Sequence, residues 1–320
     1  MDYAFKTEGL VKRFGKTTAL SGLDLAAPAG TVLGVLGPNG AGKTTAIRIL
    51  ATLLRPDEGR AVVGGLDVVT QATRVRRLIG LTGQYATVDE ELTAFENLVL
   101  VGQLLDMRKA EARSRADELL RQFDLQESGR QRASVLSGGM RRRLDLAVSL
   151  VGRPRIVFLD EPTTGLDPGR REDLWRTVRT MTAEGATVLL TTQYLEEADA
   201  LADHIYVIDD GRAIADGTPA DLKRIVGGQA IVVRPVDPQQ ADVALEVLER
   251  VAGRRAEPVS RGVVTVPVDD DRVLPEAAAR LAAADVRLAE FSLRLPSLDE
   301  AFFSLTGRSA GARTTAEVKR

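Results

Sequence analysis

An α/β fold built on a mainly parallel sheet is what this sequence predicts, and three observations carry the prediction. Apolar runs of strand length at residues 31–36, 156–160 and 186–190 alternate with stretches of helical periodicity. The first of these runs passes directly into a glycine-rich loop and then into a helix. After Gly227-Gly228, a hinge by composition, the alternation restarts on a smaller scale, which predicts a second, small α+β domain.

Taken in order, residues 3–30 read as short strands and turns, with Phe14 followed by Gly15. Residues 31–36 are a buried strand, and residues 44–54 a helix with Ile47, Leu50, Leu53 and Leu54 on one face. Residues 60–84 return to strand-like text ending Leu78-Ile79-Gly80-Leu81-Thr82-Gly83-Gln84. From there to Gly152 the pattern is helical. Thr93 with Glu96 fits a capping box, and the charged stretch 108–121 suits a solvated helix face. Residues of about 85–152 are thus a helical insert between two core strands. The core resumes with the strand ending in Asp160, a helix around Leu174, Val178 and Met181, and the strand at 186–190. Further on, strands at 231–234, 263–268 and 287–293 alternate with helices at 239–251 and 274–284. An additional strand at 257–260, turned by Arg261-Gly262, makes a β-α-β-β-α-β unit. Leu298-Asp299-Glu300-Ala301-Phe302-Phe303 reads as a closing amphipathic helix, and the tail from Arg308 as disordered. The expected domains are residues 1–226, 229–307 and the tail 308–320.

Composition sets limits. At 320 residues the chain can bury a large core, and the length suggests about two domains. With 43 basic and 45 acidic residues the net charge is −2, so no overall field draws the chain to nucleic acid or anionic lipid. There is no cysteine, which removes disulfides and thiolate metal sites and fits a reducing compartment. The single histidine, His204, excludes a histidine cluster and, at the start of a strand, reads as structural. No apolar run approaches the roughly 20 residues of a membrane span, and the first residues lack a signal peptide's apolar region. Contact with a membrane therefore needs a partner.

The chemistry begins at Gly37-Pro38-Asn39-Gly40-Ala41-Gly42-Lys43-Thr44, a complete G-x-x-x-x-G-K-[ST] loop in the required strand–loop–helix setting. Four constrained positions match a chain of this length by chance only about once in a hundred. The glycines let backbone N–H groups turn inward around a β-phosphate, and the helix start, with Thr45 behind Thr44, adds partial positive charge. Lys43 can reach the β- and γ-phosphates, and the Thr44 hydroxyl can ligate magnesium. Asp160 and Glu161 end a core strand, where the first can hold magnesium and the second polarise an attacking water. Ser137-Gly138-Gly139 at a helix start offers a hydroxyl and bare N–H groups to a phosphate, a signal that gains meaning only from its position. Gln84 can reach the magnesium and the water, and Phe14 can stack on adenine. ATP with Mg2+ is the expected cofactor pair.

The order of these motifs, with Leu136-Ser137-Gly138-Gly139-Met140, Asp160-Glu161 and Gly165-Leu166-Asp167, resembles the nucleotide-binding domain of ABC transporters over roughly residues 1–225. Thr82-Gly83-Gln84-Tyr85-Ala86, Arg141-Arg142-Arg143-Leu144-Asp145, Thr191-Thr192-Gln193-Tyr194-Leu195 and the closing Leu298-Asp299-Glu300-Ala301-Phe302 are similar to the daunorubicin-resistance type of ATP-binding subunit, extending the likeness over nearly the whole chain. The resemblance implies a P-loop NTPase core of the ABC ATPase kind, with a mainly parallel sheet, an antiparallel β subdomain and a helical insert. It implies a homodimer in which Ser137 and Gly139 of one copy close over ATP held by Lys43 of the other, with Asp167 at the seam. It also implies hydrolysis assisted by Glu161, and a separate multispanning membrane permease met at the groove beside Gln84, on the cytoplasmic face of the membrane.

Two positions depart from the family pattern. Gln193 stands where a histidine is usual; its amide can donate to a γ-phosphate but cannot carry a proton. Met140 replaces a glutamine and is expected to pack against the insert. The implied function is energising export of a drug or natural product, an anthracycline-like antibiotic among the candidates. A soluble ABC ATPase acting on ribosomes or DNA would carry two cassettes, zinc cysteines or a long coiled-coil insert, and a small-molecule phosphotransferase would not require Ser137-Gly138-Gly139. Arg141-Arg142-Arg143 in a net-acidic chain is read as serving interface salt bridges rather than nucleic acid.

Overall fold

The structure, a computed structural model, describes residues 3–83, 88–225, 229–256, 262–268, 272–294, 297–298, 302 and 305. The chain divides into two compact units, Met1–Pro219 and Ala220–Arg320.

The first unit opens with β1 (Tyr3–Phe14), β2 (Thr17–Pro28), β3 (Val32–Leu36), α1 (Lys43–Leu50), β4 (Glu58–Val63) and β5 (Leu66–Asp67). Four of these strands make an antiparallel sheet in the order β2-β1-β4-β5. The text expected to give short strands and turns before residue 30 instead gives two strands of 12 residues each. Gly9 and Gly22, at φ 58° and 88°, sit where the β1–β2 register shifts around Leu10. Glycines that read as turns are bulges, which bend a strand without ending it.

Helix α1 also stops earlier than residue 54. Thr52 adopts φ 64°, off the helical path, so Leu53 ends 61% exposed, and Ile49 joins Ile47 and Leu50 on the buried face. Past β5 come α2 (Ala72–Arg76), one helical turn inside text read as strand, and β6 (Ile79–Thr82). The insert holds α3 (Ala94–Leu104), α4 (Lys109–Gln122) and α5 (Gly138–Ser149). Thr93 caps α3 in a reciprocal capping box with Glu96. In α4 Ala112, Ala116, Leu119 and Leu120 form the buried stripe, and most of the charged residues face solvent; Arg115 instead turns in to donate to Leu150 O (2.8 Å). Ala116, Leu119 and Leu120 of that stripe, with Leu98 and Leu144, join Val157, Leu159 and Val188 in one apolar cluster, which fixes the insert to the sheet.

The remaining elements are β7 (Ile156–Asp160), α6 (Pro168–Ala183), β8 (Thr187–Thr192), α7 (Leu195–Leu201), β9 (His204–Asp209) and β10 (Arg212–Gly217). The second sheet runs β10-β9-β3-β8-β7-β6, parallel throughout except for the β9–β10 hairpin. Strands β3, β7 and β8 are buried along their whole length, as strands covered on both faces must be. Their carboxyl ends lie side by side, with Leu36 opposite Thr192 and Asp160 opposite Thr191. In an open parallel sheet this edge is where ligands bind.

The second unit holds α8 (Pro219–Ile225), β11 (Gln229–Pro235), α9 (Ala241–Ala252), β12 (Val264–Val268), α10 (Val273–Ala283) and β13 (Leu288–Arg294). Its antiparallel sheet runs β12-β11-β13, and the inward residues Ile231, Val233, Val264 and Val266 pack on Ala244, Leu248 and Leu281 of the helices. A β-α-β-β-α-β unit puts its first strand between its third and fourth in this way. The extra strand read at 257–260, the hinge Gly227-Gly228, most of the closing helix and the tail 308–320 lie outside the described residues.

Candidate functional site

The loop between β3 and α1 is shaped by its glycines. Gly42 caps α1 at φ 104°, and a Cβ there would lie 2.5 Å from the Ala19 carbonyl oxygen. Only glycine meets both demands. The loop is also tied from behind: Gly211 N–H donates to the Ala41 carbonyl (3.1 Å), and Ser21 N–H donates to the Gly211 carbonyl (2.9 Å). A Cβ on Gly211, which has φ 76°, would lie 2.7 Å from the Ala19 oxygen. Within the loop Ala41 N–H donates to Pro38 O, while Asn39 and Gly40 form the exposed tip and Thr45 is half-buried in the first turn of α1.

Lys43 is 4% exposed. Its Nζ donates to Gly37 O (2.7 Å) and Pro38 O (3.1 Å) and stands 3.5 Å from Glu161 Oε1. Burial pushes the ammonium below its usual pKa, and the Glu161 carboxylate opposes that shift. Beside it the Thr44 hydroxyl donates to Asp160 Oδ1 (3.2 Å), and the Thr191 hydroxyl donates to the same oxygen (2.6 Å). Glu161 follows at φ 47°, in the left-handed region, with its N–H shared between the Thr191 carbonyl and hydroxyl oxygens at 3.1 Å each. Thr164 Oγ1 donates to Glu161 Oε2 (3.4 Å). Loop, lysine and two carboxylates are therefore one cluster at the carboxyl edge of the sheet.

Ser137 caps α5, accepting from the Met140 N–H at 3.3 Å. Gly138 faces open space, whereas the Arg170 guanidinium lies over Gly139. Both glycines line an open depression of about 500 Å3 together with Arg142, Glu161 and Arg170. Met140 packs, half-buried, on the cluster that contains the insert's leucines. The three arginines part company because successive helix positions point about 100° apart. Arg141 pairs with Glu90 (2.8 Å), and Arg143 donates to Phe123 O (2.9 Å). Arg142 turns inward. Within the chain the three are separate anchors.

Gln193 follows β8 and is half-buried, in a turn where Tyr194 N–H donates to Thr192 Oγ1 (2.9 Å). Phe14 ends β1, half exposed rather than in the core, with the Lys12 ammonium 5.7 Å from its ring centre. Asp167 caps α6 and pairs with Arg170 at 3.1 Å. His204 Nε2 lies 2.9 Å from Asp216 Oδ2 between β9 and β10, a structural contact. Gln84 lies outside the described residues.

The family profile described as ABC transporter matches residues 20–164. The daunorubicin resistance ATP-binding protein DrrA2 of Streptomyces coeruleorubidus is 53% identical over 307 residues, 95% of each chain. The chain belongs to the ATP-binding proteins of ABC transporters. The daunorubicin/doxorubicin resistance ATP-binding protein DrrA of Streptomyces peucetius is 49% identical over 319 residues, covering 98% of this chain and 96% of that one. Among solved structures, an ATP-binding subunit of an ABC transporter superposes with TM-score 0.64 at 27% identity, covering 69% of this chain and 92% of the other. A dimeric ATP-binding cassette in a post-hydrolysis state, bound to ADP and Pi, superposes with TM-score 0.62 at 27% identity, covering 67% and 98%. As an ABC ATPase the chain binds nucleotide, and its enzymatic activity is ATP hydrolysis coupled to transport.

Sequence reading passed over several residues of this ABC site. Thr191 contacts both carboxylate residues, and its only signal was a polar pair closing an otherwise apolar strand. Glu197 is 1% exposed and accepts from the Thr163 hydroxyl at 3.1 Å. Burial raises its pKa, and the Thr163 hydroxyl opposes that shift. Nothing in its local text, two acids opening a helix, announces burial.

Proposed function

We propose that two copies of this chain bind ATP with magnesium at the cytoplasmic face of the membrane and energise efflux of a drug or natural product through a separate multispanning permease. The anthracycline class follows from the relatives' names. Lys43 and the loop of residues 37–45, through every backbone N–H but that missing from Pro38, would hold the phosphates, and Phe14 the adenine. Ser137, Gly138 and Gly139 of the partner copy would close over the γ-phosphate. Thr44 and Asp160 are hard oxygen donors in direct contact, a pair suited to magnesium, which takes one or two protein oxygens beside phosphate and water. Bound there with Gln84, the ion would neutralise phosphate charge. Among the described residues no group of three His, Cys, Asp or Glu could hold a metal alone, so the nucleotide would supply the remaining ligands.

Glu161 would orient and polarise the attacking water, with the Gln193 amide donating to the γ-phosphate from the end of β8. Lys43 would exchange Glu161 for phosphate oxygens when ATP enters, releasing the carboxylate for the water. Residues 1–226 would carry this chemistry, and 229–307 a regulatory or dimer-bracing role. Among the described residues no helix is long and apolar enough to cross a membrane, so the membrane path would belong to the partner.

The observation that carries this reading is the buried Lys43–Glu161 contact next to Thr44 and Asp160, in a chain similar over 95% of its length to a drug-resistance ATP-binding protein. The test is affinity purification of tagged Glu161→Gln protein from its own cells in mild detergent. A multispanning membrane protein recovered in near-equal amount is expected. Recovery of ribosomes or DNA-repair proteins, with no integral protein, would overturn it.

A further inference from the structure

Arg142 has no part in the nucleotide chemistry proposed above, yet its guanidinium reaches the carboxyl edge of the sheet beside Asp160 and Glu161. It donates to the carbonyls of Gly83 (2.8 Å), Pro162 (3.0 Å), Glu161 (3.3 Å) and Asp160 (3.4 Å), and to Asp145 Oδ2 (3.2 Å). Four of the five acceptors are main-chain oxygens, at the ends of the neighbouring parallel strands β6 and β7. A planar fork of fixed N–H directions suits such a task, and a lysine's single ammonium does not. The side chain is largely buried, at 16% exposure, and faces Asp145, itself 2% exposed.

We infer that Arg142 is a positioning residue for hydrolysis: it acts through Glu161, whose strained backbone it holds by both flanking carbonyls. This deepens the ATPase reading and rests on it. A non-glycine residue at φ 47° persists only where its surroundings over-determine it. Thr191 fixes the Glu161 N–H side, and Arg142 fixes the carbonyls of Asp160, Glu161 and Pro162 on the other. The same guanidinium holds the Gly83 carbonyl just past the end of β6, so it ties the ends of two neighbouring strands together. Arg142 also sits within the first turns of the helix that Ser137 caps. Any shift of that helix as Ser137 and Gly139 engage the partner copy's ATP would be felt at the catalytic carboxylate of their own copy.

The experiment compares the full-length wild-type chain with Arg142→Gln, Arg142→Lys, Glu161→Gln and the Arg142→Gln/Glu161→Gln double variant. Readouts are affinity for a fluorescent ATP analogue, steady-state kcat, single-turnover phosphate release and thermal unfolding. Arg142→Gln is expected to lower kcat by about tenfold or more while affinity changes by less than about twofold, the split that marks a contact realised in the transition state. Arg142→Lys should recover part of the loss. Placed in the Glu161→Gln background, Arg142→Gln should add no further loss, since it acts through the group already removed. If Arg142→Gln does not fold, Arg142→Lys carries the same comparison, because it keeps the charge opposite Asp145. Wild-type kcat in the folded variants would overturn the inference. So would parallel loss of affinity, stability and kcat, or losses that multiply in the double variant, because these mark a merely structural residue. A wild-type chain that hydrolyses no ATP would refute the ATPase reading itself, and this inference with it.

Discussion

Replacing Glu161 with glutamine removes the charge facing Lys43 while keeping the side chain's size, and the structure sets the scale of the effect. At 3.5 Å and an effective dielectric of about 20, the ion pair is worth about 5 kcal/mol in Coulomb energy. The amide oxygen still accepts a hydrogen bond, and Lys43 keeps the carbonyls of Gly37 and Pro38, so the net loss of stability should be about 1–3 kcal/mol. For a loss of 2 kcal/mol in a unit of this size, Tm should fall by roughly 4–8 °C. On the proposed role of Lys43, ATP phosphates would supply it with a new counter-charge, so the deficit should close once nucleotide is bound. The assay is thermal unfolding of both proteins, nucleotide-free and with saturating ATP under EDTA, which blocks turnover. A larger ATP-induced rise in Tm is expected for Glu161→Gln, alongside a loss of turnover of about a hundredfold or more with magnesium restored. An unchanged nucleotide-free Tm, or equal ATP increments in the two proteins, would show that the Lys43–Glu161 contact contributes nothing to the resting state.

Other substitutions probe the neighbouring groups. Gln193→His should retain ATP turnover and Gln193→Ala lose much of it; equal, wild-type rates in both would remove Gln193 from the site. Thr191→Val takes away the hydroxyl that donates to Asp160 and accepts from Glu161 N–H, at a cost of about 1–3 kcal/mol in denaturant unfolding and a lower kcat; unchanged values of both would refute that role. Glu197 has a folded-state pKa raised above the ordinary 4.5 by burial, so the native state holds its proton more tightly than the unfolded chain does. Its contribution is complete below pH 4.5 and declines as pH rises through the folded-state value. The Tm of Glu197→Gln relative to wild type should therefore climb as pH rises above 4.5, and a flat difference would contradict the buried-acid assignment.

Much of the fold was legible because its signals are local. The strand–loop–helix at residues 31–50, the box formed by Thr93 and Glu96, and the cap at Ser137 each lie within a few residues of one another. The alternation of strand and helix gave the parallel sheet for the same reason. What stayed hidden depends on partners distant in sequence. Whether Gly9 and Gly22 turn the chain or bulge it is decided by the strand opposite, and Thr52 ends α1 through its own backbone angle, which no side-chain pattern encodes. At the site, the loop and the Asp160-Glu161 pair announced themselves as text. The roles of Thr191, Arg142 and Glu197 did not, because they rest mostly on acceptors and donors 18 to 59 residues away. Three adjacent arginines look alike in one dimension; the helix sends one to the surface acid Glu90, one to a neighbouring helix end and one into the catalytic turn.

The knot of backbone behind the phosphate loop changes how variants of this protein should be interpreted. Gly211 stands well over a hundred residues downstream of Gly37–Thr44, yet it bridges Ser21 to Ala41 and tolerates no Cβ against Ala19. A single-nucleotide change that gives this glycine any side chain would leave every recognisable motif intact in the gene while pushing the loop out of shape. A reading of the gene by its motifs alone would count the allele as intact, although the loop between β3 and α1 would be displaced.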